Sequence, residues 1–274
     1  MKKIWYQSLT RTDRWQGYNV ELRKMLDAAK QADTEIEIHC IEKRGGIGDQ
    51  FHYLESIEAQ EVLENVQRAE GEGFDAFVIG NIGDPGLREA RELATIPVLG
   101  LCETSTHLAS MMGRNFALVT GNEKHATRIV DNVRRYGLGM NIHSVRSMSV
   151  ERLVDLEDGF GNVEAREALV SEFLRAGEQA ADEGAEVVIP SIGVLMVLLA
   201  SQGINALRNS TVPVLNGSLA LIKIAEAVID IRHAMGGLWT SRRALYAQPP
   251  ADQIDELRSA YGQVFNSVKF RRPA

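Results

Sequence analysis

Short apolar runs alternate with longer stretches of helical period along this chain. Residues 3–8 (KIWYQS) read as a strand, and residues 18–32 as a helix with Val20, Met25, Leu26 and Ala29 on one stripe. Residues 34–42 alternate apolar and polar positions, the mark of an edge or half-buried strand. Residues 43–51 carry three glycines and predict a loop before a helix over 54–70. The continuous apolar run 76–79 (AFVI) predicts a parallel strand covered on both faces. Asp84-Pro85 predicts a helix start, with Asp84 as its cap and Pro85 in its first position. A strand over 97–101 and a helix over 103–112 follow. The order then begins again, with strands at 116–120, 141–148, 187–189 and 212–215. Helices are expected at 123–135, 165–182, through Ala200, and at 219–232. Strand–helix alternation throughout predicts the α/β class, with mainly parallel sheet and helices on both faces. Met111, Met112 and Met196 lie at helical spacing among aliphatic residues and read as core.

Two stretches repeat in order. AFVIGNIG (76–83) is matched by EVVIPSIG (186–193), and TIPVLG (95–100) by TVPVLNG (211–217). A repeat of this length is a duplicated lobe and not a solenoid. The expected organisation is a first lobe from residues 1–114 plus 215–250, a second lobe from 115–214, and a helical tail at 251–274.

Composition narrows the partners. The 274 residues are 45% hydrophobic and 24% charged, as in a globular domain, with a net charge of −7. An acidic surface repels phosphate backbones, so no nucleic-acid partner is expected. No apolar run is long enough to span a membrane, and the segment after Met1-Lys2-Lys3 is too short for a signal peptide. Cys40 and Cys102 have neither disulfide-framework nor metal-ligand spacing, and the histidines at 39, 52, 107, 125, 143 and 233 form no HxH or HxxxH pattern. A soluble, cytoplasmic protein with reduced thiols and no metal is expected. At this chain length, closed association into a homo-oligomer is the ordinary outcome.

Ligands of open parallel sheets bind beyond the carboxyl ends of the strands. The residues there are Gln7, Ser8 and Thr10; Asn81 and Asp84; Glu103; Thr120, Gly121 and Asn122; Ser191; and Asn216. In the internal alignment Asn81 and Ser191 are equivalent, so facing lobes bring them to one cleft from opposite sides. Turn backbone competes for both side chains. Glu103 opens a helix, where the dipole alone favours a carboxylate, and His107 follows one turn later on the same face. Backbone N–H groups after Thr120, and near Ser8 and Thr10, can hold a small anion. Gln7, Ser8, Thr120, Gly121 and Asn122 are therefore the expected substrate-binding set.

Six segments carry a resemblance: DAFVIGNIGDPGLREAREL (75–93), IPVLGLCETSTHLASMMGRNFALVT (96–120), RRYGL (134–138), GAEVVIP (184–190), VPVLNG (212–217) and TSRRALYAQP (240–249). Together they resemble the aspartate/glutamate/hydantoin racemase superfamily, nearest its hydantoin and allantoin racemases. The resemblance implies two pseudo-symmetric Rossmann-like lobes with the active site between them. It also implies proton transfer at the carbon alpha to a carbonyl by two cysteines, one per lobe, with no cofactor. Here the first family cysteine falls at Asn81, and the second at Ser191 or Ile192. An amide and a hydroxyl are poor proton acceptors at neutral pH. The expectation is a cofactor-independent isomerase of small carbonyl or carboxylate compounds with a non-cysteine site. Asn81 and Ser191 would hold the enolate oxygen, and Glu103, with His107, would move the proton. A lyase or ring-opening hydrolase on the same scaffold, and a non-catalytic binding protein, are the alternatives.

Overall fold

The structure, a computed structural model, describes residues 1–48, 51–250 and 253–261. Two parallel sheets form. The first comprises β1 (Lys2–Gln7), β2 (Thr34–His39), β3 (Ala76–Ile79) and β4 (Val98–Gly100) in the order β2-β1-β3-β4. The second comprises β5 (Phe116–Thr120), β6 (Ile142–Ser147) and β7 (Val188–Pro190) in the order β6-β5-β7. A single parallel bridge from Val188 to Val214 extends it on the β7 side. Both sheets thus run second, first, third, fourth along their own part of the chain, and the sequence repeat falls on β3 with β7 and on β4 with Val214.

The apolar runs explain the burial. Side chains alternate faces along a strand. Ile4, Tyr6, Ala76 and Val78 join a core cluster that continues through the second lobe, whereas Trp5, Phe77 and Ile79 join a cluster beneath α2 (His52–Glu72) and α3 (Leu87–Leu93). Every residue of β3 and β5 is buried, as a strand covered on both faces requires.

Several expectations are corrected. Residues 212–215 make only the isolated bridge, because Pro213 has no N–H for the ladder and pairs antiparallel with Ala206 instead. In α1 (Gln16–Ala29) the buried stripe is Tyr18, Leu22 and Leu26, and Val20 faces outward. Met196 is core, but Met111 and Met112 end α4 (Leu101–Met112) on the surface. A 3-10 turn at Leu153–Glu157 and the short α6 (Asp158–Gly161) fill a stretch for which the pattern predicts nothing, and the expected α7 (Val163–Asp182) and α8 (Gly193–Ser201) follow. Of the expected tail, α10 (Ile254–Ala260) forms, while residues 251–252 and 262–274 lie outside the described residues, as do 49–50 of the expected glycine loop.

The two sheets are tied together by polar groups at helix ends. Glu157 accepts from the free N–H groups of Gly17 (2.6 Å) and Tyr18 (3.2 Å) at the start of α1. In α5 (Glu123–Arg135), Asn132 donates to the Gly83 carbonyl at 2.7 Å, and Tyr136 just beyond donates to Asp84 at 2.7 Å. Helix α9 (Gly217–Ala234) packs back on β1, β3 and β4 and against α4. The loops after β3 and β7 are thereby pressed together. A Cβ on Gly193 would lie 3.2 Å from the Gly80 carbonyl oxygen.

Candidate active site

Where those loops meet there is a small cavity of about 60 Å³. Gly80, Asn81 and Ile82 line it from one lobe, and Ile192, Gly193 and Val194 from the other. Its walls are completed by Thr10, Tyr18, Glu55 and Glu58 of the first lobe and by His125, Arg128 and Leu153 of the second. Glu55 and Glu58 come from the first two turns of α2, His125 and Arg128 from the first two turns of α5, and Tyr18 from α1.

The polar groups here are only partly used. Arg128 and Glu55 form an ion pair between the lobes, Nη1 to Oε2 at 3.0 Å, with side chains 15% and 10% exposed. His52 adds its Nδ1 to the same Oε2 at 3.2 Å. Glu55 Oε1, Arg128 Nε and His125 Nδ1 are buried without a hydrogen-bond partner among the described residues. Buried polar atoms nearly always find partners, so three orphans around one cavity mark a place built for something else to bind. Burial, reinforced by the Arg128 charge, pushes the His125 imidazolium down to about 3, so the ring is neutral at physiological pH. Burial raises the Tyr18 phenol well above its usual range, so Tyr18 lines the cavity as a neutral ring. Glu58 Oε1 accepts from Gly46 N–H at 2.6 Å and fixes the glycine loop over the cavity. Gly83 leaves room for the pair: a Cβ there would lie 2.3 Å from Glu55 Oε1 and 2.7 Å from Arg128 Nη2.

The expected site residues divide sharply. Asn81 lines the cavity, and its Oδ1 accepts from Gly83 N–H at 2.7 Å, which leaves the amide nitrogen for a ligand. Ser191 is fully buried behind the wall with Oγ turned to the Ile189 carbonyl at 3.1 Å, and Ile192 takes its place. Glu103 does not line the cavity. Both of its oxygens are held by Arg91, Oε1 at 3.0 Å. His107 is exposed and bonds the Glu103 carbonyl, so no Glu–His relay forms. Gln7 is saturated by Trp5, Asn65, Ser8 and His39, and Ser8 by Thr10 at 2.7 Å. Thr120 is buried among Asn122, Arg146 and Ser147, and the Gly121 backbone packs near Leu153. Asn122 caps α5 through His125 N–H at 3.1 Å, and Asn216 caps α9 through Leu219 N–H at 3.1 Å. Asp84 caps no helix of its own. Its backbone is left-handed (φ 48°), α3 starts at Leu87, and its carboxylate accepts from Cys102 N–H (3.0 Å) and Glu103 N–H (2.9 Å) at the start of α4.

Residues 20–225 match the Asp/Glu/Hydantoin racemase family. The chain belongs to that family. It is 31% identical to a hydantoin racemase of Pseudomonas sp. (strain NS671), over 81% of this chain and 83% of that protein. It is also 31% identical to a hydantoin racemase of Rhizobium meliloti, over 71% and 75% of the two chains. Among solved structures, an allantoin racemase from Klebsiella pneumoniae superposes with a TM-score of 0.76 at 27% identity, covering 91% of this chain and 94% of that one. The protein is accordingly an enzyme of the racemase class acting on small molecules, with the two-lobed α/β architecture of the racemase structures.

Within this racemase scaffold, Glu55, His125 and Arg128 are the residues that strand-end reasoning misses. They sit in the first two turns of α2 and α5, where a charged residue reads as a solvated face or a dipole partner. The one signal in the sequence is that His125 and Arg128 follow the Asn122 cap within two turns, three residues apart on one helix face. Among the described residues no group of three or more His, Cys, Asp or Glu could hold a metal, and no helix is long and apolar enough to cross a membrane.

Proposed function

We propose that the chain catalyses proton transfer at the carbon alpha to a carbonyl of a small hydantoin- or amino-acid-like compound, with Glu55 in the place of a thiol base. The observation that carries this is that Glu55, Arg128 and His125 line one cavity and each keeps a buried polar atom, Oε1, Nε and Nδ1, without a hydrogen-bond partner among the described residues. The substrate carbonyl oxygen accepts from Arg128 Nε–H, the Asn81 amide and the neutral His125 ring. Glu55 Oε1 takes the alpha hydrogen as a proton, and the C–H electron pair moves onto the carbonyl as an enolate. Donors already aimed at that oxygen stabilise the charge as it develops, an effect worth roughly 3–4 kcal/mol per donor. A neutral imidazole serves this purpose because it donates without first giving up a charge. Return of the proton from Glu55 restores the substrate. Delivery from a cavity water to the opposite face inverts the centre, and the hydroxide left behind takes the proton from Glu55.

The proposal extends to a cofactor-free, cytoplasmic homo-oligomer, in keeping with two free thiols at Cys40 and Cys102. The experiment is NMR in deuterated water with 5-substituted hydantoins, allantoin and free amino acids. One of these is expected to exchange its alpha hydrogen, with solvent deuterium in all inverted product. Glu55→Gln, folded by circular dichroism, is expected to lose the exchange. Exchange at the wild-type rate in that variant would remove Glu55 from the chemistry.

A further inference from the structure

The Arg128–Glu55 pair has a second face. Beyond it, between α2, α3 and α5, lies a wider recess of about 400 Å³, and Glu55 and Arg128 line both this recess and the small cavity. The pair is the partition between them. Arg88 and Arg135 stand at the recess, exposed and without an ion pair to any described residue. Its acids are mostly committed: Asp84 to the α4 amides and Tyr136, and Glu55 to Arg128 and His52. Glu89 remains at the rim. Three arginines, Arg88, Arg128 and Arg135, thus meet three acids at the recess, and two of those acids are already engaged, so its free charges are the two exposed guanidinium groups and Glu89.

A buried guanidinium that keeps an N–H without a partner among the described residues gains from a ligand that accepts it. Glu55 shows what kind of group the Arg128 seat accepts, namely a carboxylate, and it fills that seat through one oxygen only. A planar guanidinium offers a carboxylate two parallel N–H bonds, and an incoming carboxylate can take both. We infer that the recess is a carboxylate-binding compartment, in which a small carboxylate pairs with Arg128, displaces Glu55 from it, and is held at its outer end by Arg88 and Arg135. The consequence for catalysis rests on Glu55 being the proton acceptor. A carboxylate arm of the substrate, or a separate carboxylate, would release Glu55 toward the inner cavity at the moment of binding.

The test is calorimetric titration of the full chain with succinate, a dicarboxylate long enough to address Arg128 and the rim together, with uncharged succinamide and inorganic phosphate as comparisons. Saturable binding of succinate, and none of succinamide, is expected. Arg88→Met/Arg135→Met, changed only at exposed positions, should bind about tenfold more weakly, and Arg128→Lys should lose most of the affinity, because a point charge cannot offer the paired donors. The decisive variant is Glu55→Gln. With the competing carboxylate neutralised, succinate should bind several-fold more tightly, a gain that a merely structural pair would not give. Unchanged or weaker binding in folded Glu55→Gln, equal binding of succinamide, or tighter binding of phosphate than of succinate overturns the assignment. No turnover is read in this titration. Failure of alpha-hydrogen exchange leaves the compartment standing, and intact exchange without succinate binding removes the compartment alone.

Discussion

Two arginine–glutamate pairs lie in this molecule at similar depth, and they are used differently. Arg91 grips Glu103 with both terminal nitrogens and gives its Nε to the Val98 carbonyl at 3.0 Å, so the forked contact is saturated. Arg128 meets Glu55 through one nitrogen and one oxygen, and each keeps a buried atom without a partner. The first pair sits within one lobe and is braced from outside, where Arg242 and Gln248 bond the last carbonyls of α3. The second spans the lobes and borders two cavities. A saturated pair holds a fold, whereas a half-used pair leaves binding capacity for a ligand. Sequence position alone favours Glu103, which follows a strand, and only the hydrogen-bond accounting reverses the choice.

The strongest way to break this contrast is to neutralise each glutamate in turn. Glu55→Gln is expected to lower alpha-hydrogen exchange by about 10²–10⁴, the usual contribution of a positioned general base. Glu103→Gln should leave exchange near wild type and instead cost about 1–3 kcal/mol in denaturant unfolding, because a charge-assisted, largely buried contact is lost. If Glu103→Gln abolishes exchange in a protein of unchanged stability, the roles of the two pairs have been exchanged.

A second comparison uses the internal repeat, in which Gly83 and Gly193 are equivalent. A Cβ on Gly83 would meet Glu55, Arg128 and Asn81 at 2.3, 2.7 and 3.0 Å. These are the ends of flexible side chains, so Gly83→Ala should fold while displacing the base, with an exchange rate about 10²-fold lower, as a 1 Å misplacement produces. A Cβ on Gly193 meets the Gly80 carbonyl at 3.2 Å and Leu101 at 3.5 Å, contacts that ask only for a small backbone shift. Gly193→Ala should therefore change the rate only a few-fold. Equal losses in the two variants would mean that the loops act through their packing and not through Glu55.

Much of the fold was legible because burial on both faces leaves a mark in one dimension. AFVI and FALVT can be little else than central parallel strands, and the repeated segments marked a duplicated lobe. The site was less legible, and for a physical reason. Strand-end residues such as Gln7, Thr120 and Ser191 close backbone turns and bond locally, which sequence cannot distinguish from pointing into a cleft. Glu55 and Arg128 acquire their role only when the lobes close on each other, across 73 positions of chain. Asp84 is the intermediate case. A helix-capping aspartate is what its neighbours suggest, but the helix it caps is α4, reached through a left-handed turn that the local sequence does not reveal.

The smallest effect sets the lobes against each other through pH. Burial raises the Asp84 carboxyl to about 7, against the pull of Tyr136 and two α4 amides, and lowers His125 to about 3. Asp84 binds its proton more tightly folded than unfolded, so its contribution to stability is full below about pH 4 and is lost as pH rises toward 7. His125 binds its proton less tightly folded, so its contribution is present above about pH 6.5 and is lost as pH falls toward 3. Between about pH 4 and 6.5 the two slopes oppose each other, each near 1.4 kcal/mol per pH unit at most. The wild-type chain should therefore show a nearly flat contribution from this pair. Urea midpoints measured every half unit of pH should tilt downward with rising pH in His125→Gln and upward in Asp84→Asn. The same tilt in both variants would mean that neither group titrates as its burial demands, and that water reaches both sides of the cleft.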